Sequence, residues 1–154
     1  MRREYPVAPI VGVGAVVVED DRVLLVQRAR EPGLGLWSIP GGAVELGETI
    51  AQAAVREVRE ECHIEVEPGG VLSTHDLIER DESGSIRYHY VLIDLAASYV
   101  GGQLAPGTDA VQARWAFAAE LSELNIQPRL LPVLRSALHR AQQIATPSTA
   151  TSTA

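Results

Sequence analysis

The stretch that decides the fold is GGAVELGETIAQAAVREVREECHI, residues 41–64. It passes from two glycines into a segment, Thr49 to Cys62, that contains neither Gly nor Pro and is rich in good helix formers. Thr49 and Gln52 have the spacing of a capping box, so a helix should begin there. The apolar side of this helix, which we expect to be buried, consists of Ala51, Val55, Val58 and Cys62. Cys62 is therefore expected to act as a small core hydrophobe.

The same helix carries a run of charges, REVREE, that begins at Arg56. The carboxylates of Glu57, Glu60 and Glu61 converge on the side away from the apolar stripe. Like charges at this spacing cost about a few tenths of a kcal/mol per pair, so their presence needs a reason. Two interpretations are open: a solvated face neutralised by Arg56 and Arg59, or a site for a hard divalent cation such as Mg²⁺ or Mn²⁺. Taken alone, the run favours the solvated face.

The residues before the helix favour the metal site. Gly41 and Gly42 allow the backbone to approach an ion or a phosphate closely. Glu48, just before the helix, can add a further carboxylate. With these residues included, a metal site is the better interpretation of the charged helix.

The spacing of these residues resembles the Nudix box, the sequence signature of the Nudix hydrolases. It reads Gly42, five residues, Glu48, seven residues, then Arg56, Glu57, Val58, Glu60, Glu61, His63 and Ile64. The similarity extends from about Val11 to Trp115, and GLWSIPGG, which ends at Gly42, resembles the family's lead-in to the box.

One position departs from the box. His63 stands where the box usually has glycine, and this position follows the helix, where a left-handed residue is commonly required. Histidine can adopt that conformation at a cost of about 1 to 2 kcal/mol. We therefore expect a cost in stability and no loss of activity.

The rest of the chain alternates strand-like and helical segments. Strands are predicted at Val11–Val18, Val23–Arg28, Ile64–Val66, Val71–Thr74, Arg87–Leu95 and Ala113–Phe117, with a turn at RDESG, residues 80–84. A last helix is predicted from about Pro128 to Ile144. The pattern predicts an α/β fold in which a mixed β-sheet is sandwiched between α-helices, which is also the Nudix fold that the resemblance implies. One domain is expected over residues 1–145, with residues 146–154 as a flexible C-terminal tail.

Composition restricts the class of function. The formal charge of −7 and the pI near 5.0 argue against a nonspecific nucleic-acid binder. All 13 basic residues are Arg, which excludes Schiff-base chemistry on lysine and a P-loop lysine. Cys62 is the only cysteine, which excludes an intrachain disulfide and a thiol-rich zinc site and favours the cytoplasm.

The start of the chain has the outline of a signal peptide, because MRRE precedes the apolar run Ile10–Val18. However, Pro6 and Pro9 stand before the run, and acidic residues end it without a small-residue cleavage site. The run is also half the length of a membrane span. A buried strand fits it better.

Nudix hydrolases cleave a nucleoside diphosphate linked to another group, X. The resemblance implies that water attacks a phosphorus of the pyrophosphate in this protein as well. It implies that Glu57, Glu60 and Glu61 hold Mg²⁺, with Mn²⁺ as a substitute, and that the carbonyl of Gly42 is a further ligand.

The resemblance also implies roles for the neighbouring groups. Arg56 would orient the carboxylates, and Glu48 would support the metal shell. The general base would come either from the box, from Glu60 or Glu61, or from a loop after a later strand. Asp109, in the segment GTDAVQARW, is the loop candidate; a turn-capping aspartate is the alternative for it.

Candidates for substrate binding surround the glycine turn. Gly41 and Gly42 can bring the backbone close to a phosphate. Arg28, at the end of the second predicted strand, either binds a phosphate or is an ordinary solvated arginine. Trp37 either stacks on a base or is a structural residue.

The identity of X depends on residues outside the box. The segments YPVAPIVGVGAVVV, from Tyr5, and YHYVLIDLAASYVGGQLAPGTDAVQARW, from Tyr88, resemble short Nudix proteins that are ADP-ribose pyrophosphatases and release AMP and ribose 5-phosphate. The absence of proline between Pro68 and Pro106 counts against that substrate. The alternatives are a MutT-type nucleoside triphosphate pyrophosphohydrolase and a nonenzymatic ligand-binding module. The partner implied is a small nucleoside diphosphate derivative, with no nucleic acid and no membrane, and a homodimer remains open.

Overall fold

The computed structural model describes residues 2–105, 107 and 110–145. The strands are β1 Ile10–Glu19, β2 Arg22–Arg28, β3 Trp37–Ser38, β4 Gly41–Ala43, β5 Ile64–Arg80, β6 Ile86–Gly102 and β7 Ala110–Phe117. The helices are α1 Ile50–Cys62 and α2 Leu131–Ala145, with short 3-10 turns at Ala118–Glu120 and Pro128–Leu130. Neither helix within the described ranges has the length and apolar content of a membrane span. The predicted tail, residues 146–154, lies outside the described residues.

The strands form one mixed sheet with β1 near its centre. β1 pairs in parallel with β6 and antiparallel with β2 and β4. β5 pairs antiparallel with β6, and β2 pairs antiparallel with β3 and β7. The mixed sheet predicted from the sequence is therefore confirmed.

Alternate residues of the central strands face opposite helices, because successive side chains of a strand point to opposite faces. The α1 side of the core contains Val13, Ala15, Val17, Leu24 and Val26 together with Ala53, Ala54, Val58 and Cys62. The α2 side contains Val16, Val23 and Leu25 together with Leu130, Leu134 and Leu138. The sheet is thus sandwiched between the two helices, as predicted.

Helix α1 begins at the predicted capping box. The hydroxyl of Thr49 accepts a hydrogen bond from the backbone N–H of Gln52 at 3.1 Å, and the side chain of Gln52 accepts one from the N–H of Thr49 at 2.9 Å. The buried stripe is rotated from the predicted one: Val58 and Cys62 are fully buried, but Ala53 and Ala54 are buried in place of the half-buried Ala51 and Val55. Burial raises the pKa of the Cys62 thiol to about 12, as expected for a core hydrophobe.

Helix α1 ends at His63, which adopts the left-handed conformation expected at this position, with φ 60° and ψ 30°. Its backbone N–H donates to the carbonyl of Arg59 at 3.0 Å. Ring atom Nδ1 lies 2.9 Å from the carbonyl oxygen of Ala105, which ties the end of the helix to the segment after β6.

We expect the variant His63→Gly to be more stable than His63→Ala by about 1 kcal/mol. Both variants lose the ring contact with Ala105, so the comparison isolates the cost of a Cβ in the left-handed conformation. Chemical denaturation of the two variants measures this difference. Equal free energies of unfolding would contradict the strain assigned to this position.

The second half of the sheet differs from the prediction in its strand lengths. The predicted strands Ile64–Val66 and Val71–Thr74 are parts of one long strand, β5, whose register with β6 shifts between Pro68 and Val71. The Pro-Gly-Gly segment, which suggested a break between two strands, is accommodated as an irregularity within the ladder. The predicted turn is confirmed: the carboxylate of Asp81 accepts the backbone N–H groups of Ser83 and Ser85.

Candidate active site

A cavity of about 210 Å³ opens where β1, β4, β6 and α1 meet. Its lining includes two glycines of β4, Gly41 and Gly42, and three glutamates of α1, Glu57, Glu60 and Glu61. A water molecule occupies about 30 Å³ in the liquid, so the cavity is large enough for part of an organic ligand. The structure therefore brings together the glycines and glutamates that the sequence placed in one motif.

Glu61 lies partly buried beside the glycine strand. One of its carboxylate oxygens accepts the backbone N–H of Gly41 at 3.3 Å. Burial, followed by the charge of Glu57, raises the pKa of Glu61 to about 8. The ionised form of Glu61 is therefore disfavoured here unless a positive charge lies beside it.

Arg56 organises the carboxylates beside the cavity. Its Nη1 donates to Glu57 Oε1 at 2.8 Å and to Glu60 Oε2 at 3.4 Å. Its Nε and Nη2 donate to the two oxygens of Glu48 at 2.7 and 2.8 Å, and Nη2 also donates to the carbonyl of Ala43 at 3.1 Å. The geometry agrees with the orienting role predicted for Arg56.

Glu48 lies beside Arg56, next to the cavity. Both of its oxygens are engaged by Arg56, and the backbone N–H of Glu45 donates to Oε1 at 3.0 Å. The hydrogen bonds from Arg56 and then from Glu45 lower the pKa of Glu48 to about 2. Glu48 does not line the cavity, and its contacts agree with the supporting role expected for it, because it holds Arg56 in place. Its place among the metal ligands stays a prediction.

The two glycines allow contacts that no other residue could make. A Cβ at Gly41 would lie 2.1 Å from the carbonyl oxygen of Val13 in the neighbouring strand. A Cβ at Gly42 would lie 2.4 Å from Glu57 Oε1. The close approach of β4 to β1 and of Glu57 to β4 therefore requires glycine at both positions. Ligation of a metal by the carbonyl of Gly42 stays a prediction.

The donor set fits a hard divalent cation. Among the described residues, no three acidic, histidine or cysteine side chains already form a ligand cluster, and Arg56 draws Glu57 toward itself. However, three carboxylates line one cavity, and burial followed by the charge of Glu57 raises the pKa of Glu61, so a cation bound there would favour its ionised form. Mg²⁺ and Mn²⁺ take such oxygen ligands.

Arg28 lies in the same cavity as the glutamates, as expected for a phosphate-binding residue. Its Nε donates to the carbonyl of Pro32 at 2.7 Å. Burial lowers the pKa of Arg28, and the charge of Glu61 opposes this shift. Arg3, from the segment before β1, also lines the cavity. A partly buried guanidinium beside a second arginine suits the binding of an anion.

Of the two remaining predicted site residues, Trp37 is described by the structure and Asp109 is not. The indole of Trp37 is 8% exposed and packs in the core on the α2 side, and Trp37 does not line the cavity. The structure therefore corrects its assignment to base stacking: it is a core residue. Asp109 lies outside the described residues, so its role stays a prediction.

Sequence reasoning missed two charged residues of the cavity wall, Asp94 and Arg129. Arg129 Nη1 donates to Asp94 Oδ2 at 2.8 Å, and the hydroxyl of Ser73 donates to the same oxygen at 2.6 Å. One signal was available: Asp94 is a single acidic residue within the apolar run VLIDLAA. Its partner Arg129 is distant in sequence and carries no comparable signal.

Comparison with known proteins gives a consistent assignment. Residues 8–137 match the NUDIX domain family. An ADP-ribose pyrophosphatase of Methanocaldococcus jannaschii is 34% identical over 122 residues, which cover 79% of this chain and 66% of that protein. A CTP pyrophosphohydrolase of Escherichia coli is 43% identical over 75 residues, which cover 48% of this chain and 53% of that protein.

A solved structure supports the same fold. The crystal structure of a MutT Nudix hydrolase from Burkholderia pseudomallei has a TM-score of 0.72 and 29% identity, and the match covers 83% of this chain and 97% of that one. The chain spans about half to two thirds of the length of the two relatives above.

The family match contains the whole of the glycine strand β4, helix α1 and the strands that enclose the cavity. The same elements carry the box spacing, the capped helix and the clustered glutamates. On these grounds, the chain belongs to the Nudix family.

Proposed function

We propose that the protein hydrolyses a pyrophosphate bond in a nucleoside diphosphate linked to a group X, in a reaction that depends on Mg²⁺ or Mn²⁺. The observation that carries this proposal is a single cavity with Glu57, Glu60 and Glu61 on one side and the guanidinium of Arg28 near them. Carboxylates that hold a cation and an arginine that holds a phosphate are the groups this reaction needs.

Each residue has a definite task in this mechanism. Glu57, Glu60 and Glu61 would hold a divalent cation, and Gly42 leaves room for Glu57 beside the strand. When bound, the cation would supply charge neutralisation at the diphosphate and a more acidic water. Arg28 binds a phosphate oxygen and so orients the diphosphate.

The proton of the attacking water needs a base within reach. The candidates are three carboxylates. Glu60 and Glu61 belong to the motif, and Asp109 lies in the segment that resembles the family's loop. Arg56 keeps the glutamates oriented while the reaction proceeds.

ADP-ribose or a related nucleotide sugar is the proposed substrate, with AMP and ribose 5-phosphate as the products of ADP-ribose. The name of the relative from Methanocaldococcus jannaschii supports this choice. The second candidate is hydrolysis of a nucleoside triphosphate, which the name of the Escherichia coli relative supports. A nonenzymatic module is less well supported, because all of the box glutamates are present.

We place the protein in the cytoplasm, because its only cysteine is buried and therefore unsuited to disulfide formation. We also propose that the protein can form a homodimer. The partner that its cavity receives is a small molecule.

The variant Arg56→Lys should lower kcat/KM by about 10- to 100-fold and raise the metal concentration needed for half-maximal activity. Lysine keeps the charge but cannot engage Glu48 and Glu57 at the same time, because it lacks the planar fork of arginine. Steady-state kinetics with a Mg²⁺ titration measures both effects.

The matched control is Arg59→Lys on the same helix. Arg59 pairs with Glu65 at 2.5 Å on an exposed surface away from the cavity. This control should leave kcat/KM within about twofold of the wild type. Equal losses in the two variants would show that Arg56 acts only on the helix and not on the site.

The specificity is tested with a substrate panel in Mg²⁺ and in Mn²⁺. The panel contains ADP-ribose, other nucleotide sugars, ordinary and oxidised nucleoside triphosphates, NADH and dinucleoside polyphosphates. ADP-ribose or a related nucleotide sugar should give the highest kcat/KM. If a nucleoside triphosphate gives the highest value, the second candidate replaces the first.

A further inference from the structure

The cavity has a second polar end, formed by Asp94 and Arg129, that the diphosphate chemistry does not use. Asp94 is 1% exposed, and the side chain of Arg129 is 17% exposed. Both residues line the same cavity as the glutamates. The contact between them joins strand β6 to the 3-10 turn that precedes α2.

A buried ion pair such as this one is expected to contribute little net stability to the contact between the two elements. Replacing a buried ion pair by apolar residues is often neutral or stabilising. In addition, Arg129 Nε is buried without a hydrogen-bond partner among the described residues, and the contact from Nη2 to Asp94 Oδ1 is long, at 3.5 Å. Nε is too buried to meet a ligand, but the long Nη2 contact leaves donor capacity on the guanidinium.

A neighbouring side chain adds a further donor. The hydroxyl of Ser38 donates to Gln127 Oε1 at 3.4 Å, which leaves the NH₂ group of Gln127 as a donor at the cavity wall. Arg129 and Gln127 together present hydrogen-bond donors to any ligand that reaches this end. A ligand that binds at this end must therefore carry hydrogen-bond acceptor atoms.

The surface beside these donors is apolar. Leu77, Tyr90 and Leu92 line the cavity on strands β5 and β6. A planar ring can pack against such a surface while its edge faces the donors. A phosphate or a sugar would gain little from the two leucine side chains.

The separation of the two ends suits a nucleotide. Gly41 pairs with Gly14, and Gly14 pairs with Asp94, so Asp94 lies two strands away from the glycine strand. With neighbouring strands about 4.8 Å apart, the backbones of these two strands are about 10 Å apart. A ribose can bridge a diphosphate at the glutamate end and a base at the other end.

We propose that the end of the cavity formed by Arg129, Gln127 and Asp94 binds the nucleobase of the substrate. Arg129 donates to acceptor atoms on the edge of the base, and Asp94 is a positioning residue that fixes the guanidinium. This proposal rests on the proposed function, and it assigns the opposite end, with Arg28 and Arg3, to the phosphates and to X.

The test compares each nucleotide substrate with a base-free analogue, a ribose 5-diphosphate derivative that carries the same X. In the wild type, loss of the base should lower kcat/KM by about 10- to 100-fold, mainly through KM. Arg129→Lys keeps the charge opposite Asp94 and removes the fork. This variant should lose most of the preference for the nucleotide over the base-free analogue.

Two further proteins complete the kinetic test. The control Arg135→Lys makes the same substitution at an exposed position of α2 and should keep the preference. If Arg129→Lys fails to fold, the double variant Asp94→Asn with Arg129→Gln replaces it, because it leaves no unpaired charge. A variant that slows both substrates equally, or that keeps the preference for the nucleotide, overturns the proposal.

A binding measurement separates this inference from the proposed function. Calorimetric titration of the metal-free protein with AMP, GMP, CMP and ribose 5-phosphate should show tighter binding of at least one nucleotide, and Arg129→Lys should abolish that difference. If no diphosphate is hydrolysed but this difference is present, the proposed function fails and the base site stands. If hydrolysis occurs but neither assay depends on the base, the base site fails and the proposed function stands.

Discussion

The variant Glu60→Gln should lower kcat/KM by at least about 100-fold, because loss of groups that only support metal ligands already costs about 10- to 100-fold. The fold should be unaffected. The side chain of Glu60 is 59% exposed, and its contact with Arg56 is 3.4 Å long, so the free energy of unfolding should change by no more than about 0.5 kcal/mol.

Two measurements distinguish a lost metal ligand from a general defect. Steady-state kinetics gives the loss of activity, and thermal melting with and without Mg²⁺ reports metal binding. The stabilisation by Mg²⁺ should be smaller in Glu60→Gln than in the wild type. The control Glu82→Gln removes an exposed glutamate in the turn between β5 and β6 and should change neither quantity. Near-normal turnover in Glu60→Gln would refute the assignment of Glu60.

Alanine at Gly42 should mainly lower activity, whereas alanine at Gly41 should mainly lower stability. In Gly42→Ala the new Cβ meets the end of the flexible Glu57 side chain at 2.4 Å. Glu57 can move away, so stability should fall by less than about 1 kcal/mol, whereas kcat/KM should fall by at least about 10-fold because Glu57 is displaced.

In Gly41→Ala the Cβ meets the backbone carbonyl of Val13 at 2.1 Å, and a backbone atom in a central strand cannot move away cheaply. The free energy of unfolding should therefore fall by about 1 to 3 kcal/mol. Denaturation curves and kinetics of both variants check the pair of expectations. An unfolded Gly42→Ala together with a stable, active Gly41→Ala would contradict the geometry assigned to β4.

The sequence predicted the features that depend on local rules. The capping box at Thr49 and the left-handed residue at His63 follow from the chemistry of helix ends, and both are confirmed. The convergence of the glutamates follows from helical periodicity alone. The apolar strands and the two amphipathic helices were sufficient to predict the layered fold.

Features that depend on contacts between distant segments were not predictable. The sequence does not show that both carboxylate oxygens of Glu48 accept hydrogen bonds from Arg56. Trp37 lies in a two-residue strand, where the side that its indole faces depends on tertiary packing. Asp94 and Arg129 are 35 residues apart and meet only because β6 lies beside the turn that begins α2.

The two ends of the cavity divide the work of the proposed enzyme. The end with Glu57, Glu60 and Glu61 belongs to the family motif, and we propose that it carries the chemistry. The end with Arg129 lies outside the motif. This division explains in physical terms why the box indicates the type of reaction and says little about the substrate.

The most direct test of the metal-dependent reaction is product analysis with ADP-ribose by chromatography, with saturating Mg²⁺ and with excess EDTA. We expect equimolar AMP and ribose 5-phosphate in Mg²⁺, and no product in EDTA. Absence of cleavage of ADP-ribose and of every other diphosphate in the panel, or cleavage that persists without a divalent cation, would contradict it.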